Sequence, residues 1–138
     1  MISDPAVLDL SVGPALVPVL GRIVHAIGGQ ADIELDRLGD LEVLAETLSA
    51  SVHHFTPDGR VRFALTPEAG VVIVRVGPLV EGGADGLRAA CALPDLGPVI
   101  DQLADSVRID TGPDGEYLAL TVASARHNEA AAGRAGSA

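Results

Sequence analysis

The apolar residues of this chain repeat with two different periods, and the order of those periods narrows the fold more than any other feature. Between 36 and 54, Leu38, Leu41, Ala45, Leu48 and Val52 step by three and four, the spacing of one helix face. Leu16, Val19, Leu20, Ile23, Val24 and Ile27 trace a second such face over 15–27. On either side of the two helices the period falls to two. Residues 6–12 read as a strand, and Val61, Phe63 and Leu65 alternate with Arg60, Arg62 and Ala64, a strand with one wet face. Val71 to Val74 is an unbroken apolar run, read as a central strand covered on both sides or nearly so. The turn Pro67-Glu68-Ala69-Gly70 joins these two strands, and Gly112-Pro113-Asp114-Gly115 joins strands at 106–111 and 116–123. Strands joined by such short turns pair antiparallel. Two long helices, with a short one at Val99, Ile100, Leu103 and Ala104, suffice to cover one face only. The expected fold class is therefore α+β: a two-layer α/β sandwich with a mixed, mostly antiparallel sheet and helices on one face.

Local signals refine the boundaries. Pro14 and Pro18 are tolerable only near the start of the first helix, and Gly28-Gly29 is a natural stop. Asp36 is placed to cap the second helix, Gly39 weakens it, and His53 and His54 fall in its last turn. Residues 77–92 lose all period among Gly77, Pro78, Gly82, Gly83 and Gly86, which predicts a long flexible loop. The stretch from Ala125 onward is Ala-, Gly- and Ser-rich and unpatterned. One domain over 1–124 followed by a disordered tail over 125–138 is expected.

Composition excludes several chemistries. All nine basic residues are Arg, which removes Walker-type phosphate loops, Schiff-base chemistry and a Lys general base. A single cysteine forms no internal disulfide and no multi-cysteine zinc site, and with no His near it Cys91 reads as a buried thiol rather than a nucleophile. The net charge of −10, with two Phe, one Tyr and no Trp, argues against nucleic acid as a partner. Setting aside Arg126, Arg134 and Glu129 of the tail leaves 7 basic against 18 acidic residues. No apolar run approaches the ~18 residues of a membrane span, and the first residues lack the basic segment of a signal peptide. A cytoplasmic protein with no membrane partner is expected.

The element order and three segments resemble the Bergerat-fold (GHKL) ATPases, the histidine-kinase-like ATPase fold, and among them the small bacterial anti-sigma-factor kinases of the RsbW and SpoIIAB type. "DLEVLAETLSASVHH" looks like the N-box helix, "VRFALTPEAGVVIVRV" sits where the central strands sit, and "VIDQLADSVRIDTGPDGEYLALTVA" looks like the closing helix and hairpin. The resemblance spans roughly residues 5–124. In that family the N-box Glu orients or activates the kinase reaction, and the Asn four residues on holds Mg²⁺. Glu46 matches the Glu and stands as the candidate catalytic residue; the Asn position is Ala50, which offers a metal no oxygen. "VIVRVGPLVEGG" has no Asp to read an adenine, and "CALPDLGPV" replaces the Gly-rich phosphate-facing segment. The resemblance with these departures implies a regulatory, anti-sigma-factor-like protein-binding module with no ATP, Mg²⁺ or other cofactor. Its implied partners are a sigma factor or an anti-anti-sigma antagonist, with homodimerisation, frequent in the family, as a further expectation. Two alternatives stand beside this one. The first is an active ATP-dependent serine/threonine kinase using Glu46, ATP and Mg²⁺. The second is a small-ligand domain that reuses a vacant cleft lined by Val, Leu and Ala. An acidic body also steers basic partners.

The remaining constellations are weaker. Glu46, His53 and His54 share a helix face two turns apart, but a metal site needs further ligands and His25 is unplaced, so no metal is expected. No Gly-x-Ser-x-Gly elbow surrounds Ser11, Ser49 or Ser51. Arg75 interrupts an apolar strand, so it marks either the strand's end, an ion pair with an acid on a neighbouring strand, or a contact to a partner or ligand.

Overall fold

A computed structural model describes residues 5–95 and 97–125. The order is β1 (Ala6–Ser11), α1 (Leu16–Gln30), α2 (Leu35–Ser51) with a 3-10 turn at Val52–His54, β2 (Arg60–Glu68), β3 (Val71–Leu79) and α3 (Gly83–Ala90). There follow the two-residue strands β4 (Ala92–Leu93) and β5 (Gly97–Pro98), then α4 (Val99–Leu103), β6 (Ser106–Gly112) and β7 (Gly115–Ala123). Five strands form one sheet in the order β1-β2-β3-β7-β6, and β4 pairs only with β5. All pairings in the large sheet are antiparallel. The α+β sandwich expected from the sequence is the architecture observed, and its mostly antiparallel sheet is antiparallel throughout.

Alternation decides which face is buried. Val61, Phe63 and Leu65 of β2, Val72, Val74 and Val76 of β3, and Leu118, Leu120 and Val122 of β7 join one core with Leu20, Val24, Leu41 and Leu48 of the long helices. Register places Phe63 between Leu8 of β1 and Val76 of β3. The opposite sheet face carries Arg60, Arg62, Arg75 and Arg108 with Asp9 and Asp110. The apolar run of β3 is thus covered on one side: Ile73 is half-buried and Arg75 exposed on the other. Arg75 does not end its strand, which continues to Leu79. Its guanidinium lies 3.9 Å over the Tyr117 ring and 3.6 Å from Asp110, so the acid that pairs with it sits two strands away.

Three local expectations are corrected. Gly28-Gly29 does not stop α1, because a Cβ at Gly28 would lie 2.5 Å from Leu38 Cδ1; the glycine lets α1 close against α2. The helix runs to Gln30 and is closed just past its end by Asp32, in the left-handed region at φ 57°, with Ile33 N–H donating to Gly28 O and Asp32 N–H to Gly29 O, a Schellman closure. Asp36 is not the cap of α2: Glu34 holds that position without a side-chain cap bond, and Asp36 lies in the first turn, where a negative charge suits the dipole. Residues 77–92 are not a long loop. β3 continues through Gly77-Pro78 to Leu79, and Gly83–Ala90 form α3 with Ala84 and Leu87 buried. Gly86 is there for packing, since a Cβ would sit 2.5 Å from the Phe55 ring. The tail expected over 125–138 lies, past Ala125, outside the described residues.

The start of α3 is fixed by Glu116 of β7, whose carboxylate accepts from the N–H groups of Gly82 (2.8 Å) and Ala84 (3.1 Å). These two bonds hold its pKa below the ordinary carboxylate value. The folded-state pKa is lowered, so this stabilisation is present above the unfolded value and is lost as pH falls through the folded one. Acid titration of the wild-type fold below about pH 4.5 is therefore expected to lose stability. Glu116→Gln should be less stable at pH 7 and flatter across that acid limb, read by urea midpoints at each pH. A Glu116→Gln curve parallel to wild type contradicts the cap.

Candidate functional site

Helix α2 presents its outer face between two grooves, and Glu46 stands on the crest that separates them. One groove, of about 150 Å³, runs between α1 and α2 and is lined by Val17, Gly21, His25, Glu42, Ala45 and Glu46. The other, of about 370 Å³, runs between α2 and the α3–β4 segment. Its α2 wall holds Val43, Glu46, Thr47, Ala50 and Ser51, and its far wall holds Ala90, Ala92 and Leu93. Glu46 and Ala50, four residues apart, therefore line the same groove one helical turn from each other. Both are exposed.

The larger groove has simple chemistry. Thr47 spends its hydroxyl on Val43 O at 2.6 Å, inside the helix. Behind the Ser51 and Ala90 lining, the Cys91 thiol is buried, and burial pushes its pKa up to about 11 against a smaller opposing pull from a hydrogen bond to Ser51. The rest of the lining is Val, Ala and Leu. Glu46 is its one charge among the described lining residues. A thiol held neutral in this way is a poor nucleophile. Native Cys91 is expected to resist iodoacetamide at pH 8 and to react once the chain is unfolded; rapid alkylation of the native fold contradicts this burial.

The histidines do not converge on Glu46. His25 Nε2 lies 2.6 Å from Glu42 Oε1, across the smaller groove. His53 and His54 occupy the 3-10 turn after α2, exposed, with ring centroids 3.8 Å apart. Among the described residues no three His, Cys, Asp or Glu side chains form a group able to hold a metal.

Charge is divided between the layers. The helices carry Asp36, Asp40, Glu42, Glu46, Asp85 and Asp101. Against these stand three helical arginines, Arg22, Arg37 and Arg88; Arg37 pairs with Asp40 and Asp105, and Arg88 with Asp101 at 2.6 Å. Four arginines stand instead on the open sheet face. The helix layer is thus the acidic side of the molecule, a segregation that sequence reading did not foresee because it depends on which strand face each Arg takes.

The groove places Glu46 and Ala50 together, as their spacing implied. Sequence reasoning missed Arg37 and Glu116, the two side chains that lock the layers to each other. Apart from Asp40, their partners lie far away in the chain, and no local pattern marks them. No helix among the described residues is long and apolar enough to cross a membrane. No known family model and no curated protein matches the chain.

Proposed function

We propose that this chain is a cytoplasmic regulatory module that binds a protein partner through its helix layer, in the manner of anti-sigma factors, without ATP or Mg²⁺. One observation carries the reading: Glu46 and Ala50 line a groove built mainly of Ala, Val and Leu, with the hydroxyls of Thr47 and Ser51, and its only charge, among the described lining residues, is a carboxylate. A triphosphate set beside Glu46 meets repulsion and no counter-charge. Ala50 gives a cation no oxygen ligand. An apolar side chain followed by an Arg or Lys finds both partners it needs, the small-residue floor and the Glu46 carboxylate. The partner class is a basic, DNA-binding regulator of the sigma-factor kind, or the antagonist that competes with it. The surrounding acids add steering to the encounter.

Surface-immobilised wild-type chain, exposed to purified sigma factors and to candidate antagonists, should bind at least one at micromolar concentration or better. The association rate should fall steeply with added salt. Glu46→Arg, an exposed substitution that leaves the fold intact, should weaken that complex at least about tenfold. Equal binding by Glu46→Arg, or transfer of labelled phosphate from ATP to the antagonist, overturns the reading.

A further inference from the structure

The five-stranded sheet ends on one side at β6, whose outer edge pairs with no strand among the described residues. Ile109 in its middle is 37% exposed. An edge of this length with free N–H and C=O groups is a template for another strand unless a Pro, an inward charge or a covering element blocks it. β6 reads Ser106-Val107-Arg108-Ile109-Asp110-Thr111-Gly112 and has none of the first two.

We propose that β6 pairs antiparallel with β6 of a second copy, about a two-fold axis through Ile109, to make one ten-stranded sheet. Charge selects this register. Arg108 and Asp110 point to the same sheet face, as their pairing with Ala119 and Tyr117 on β7 requires. They already bond each other along the strand at 2.8 and 3.1 Å. Centred on Ile109, the two-fold sets Arg108 opposite the copy's Asp110 and Asp110 opposite the copy's Arg108. Ile109 then meets Ile109 on the helix side. A slip of two residues in one direction sets Arg108 against Arg108, and in the other Asp110 against Asp110, and like charges directly opposite are unfavourable. A slip of one puts apolar side chains on the wrong face. β1, the other edge, carries Asp9 alone and brings no opposite charges together in any two-fold pairing. This interface lies at the far edge of the sheet from β1 and does not rest on the helix-layer reading above.

Sedimentation equilibrium of the full chain should show a dimer. R108D and D110R should each weaken it at least about tenfold, because each sets like charges opposite one another at two places. An equimolar mixture of R108D and D110R should form a heterodimer, since the two acids of one chain then face the two arginines of the other. The double variant R108D/D110R should recover the homodimer. Circular dichroism checks that each variant folds. A wild-type chain that stays monomeric at about 100 μM, a dimer indifferent to both single variants, or β6 amides protected from exchange in a monomer overturns the proposal.

Discussion

Replacing Phe63 by Ala is expected to cost about 3–5 kcal/mol of folding stability, the range for deleting a fully buried aromatic ring. Phe63 has no exposure and is the largest of the fully buried side chains. It fills the inner face of β2 between Leu8 and Val76, below the helix layer. Its neighbours are Leu and Val, so no other ring can swing into the space, and most of the void persists. Against a typical total of about 5–15 kcal/mol, this loss leaves a marginal fold. Urea denaturation at pH 7 measures it. A loss under about 1 kcal/mol would mean that the helices do not seal this face of the sheet.

Arg37→Ala is expected to cost about 2 kcal/mol, since it removes the shared partner of a half-buried charge cluster, between the exposed and the fully buried limits. The side chain is 18% exposed. Its Nε donates to Ala123 O at 2.8 Å, one terminal nitrogen to Asp40 at 2.6 Å, and the other to Leu103 O at 3.2 Å and to Asp105. Asp105 in turn accepts from Ala123 N–H at 2.8 Å. One guanidinium therefore ties the first turns of α2 to the end of β7 and to the link between α4 and β6. The planar fork is essential, because the three donors of an ammonium sit on one nitrogen and cannot span partners that Arg37 reaches from three separate nitrogens. Arg37→Lys should recover less than half of the loss. The Ala123 amide should exchange faster with solvent in both variants. Wild-type stability in Arg37→Lys contradicts the clamp.

What the sequence disclosed and what it hid divide along range. The alternation of Val61, Phe63 and Leu65 and the three-four steps of Leu38 to Val52 are local signals of burial, and both match the faces that the core covers. The short turns at 67–70 and 112–115 announce antiparallel pairing, and every pair in the sheet obeys. The helix α3 is hidden because Gly82, Gly83 and Gly86 read as flexibility, while Gly86 exists to admit the Phe55 ring. The termination of α1 is hidden because a glycine pair outranks Asp32 as a stop signal, although Gly28 serves contact with Leu38. A glycine chosen for closeness and a glycine chosen for freedom look alike until the neighbour is known. At the site, the turn-length separation of Glu46 and Ala50 is legible. The far wall of their groove depends on α3 and β4, so neither its width nor its apolar character is.

Within the same groove, Ala50 bears most directly on the proposed loss of nucleotide binding. Ala50 leaves a smooth wall one turn from Glu46, where an oxygen-bearing side chain would add a ligand. With Ala90, Ala92 and Leu93 opposite, the groove offers contact area to a side chain and a carboxylate to its cation. The proposed partner binding would need no nucleotide and nothing more from these residues.

Calorimetric titration of the full chain with Mg-ATP tests that claim most directly. No saturable heat is expected up to millimolar nucleotide. Saturable binding at micromolar concentration, lost in Glu46→Ala, would contradict a nucleotide-free binding module.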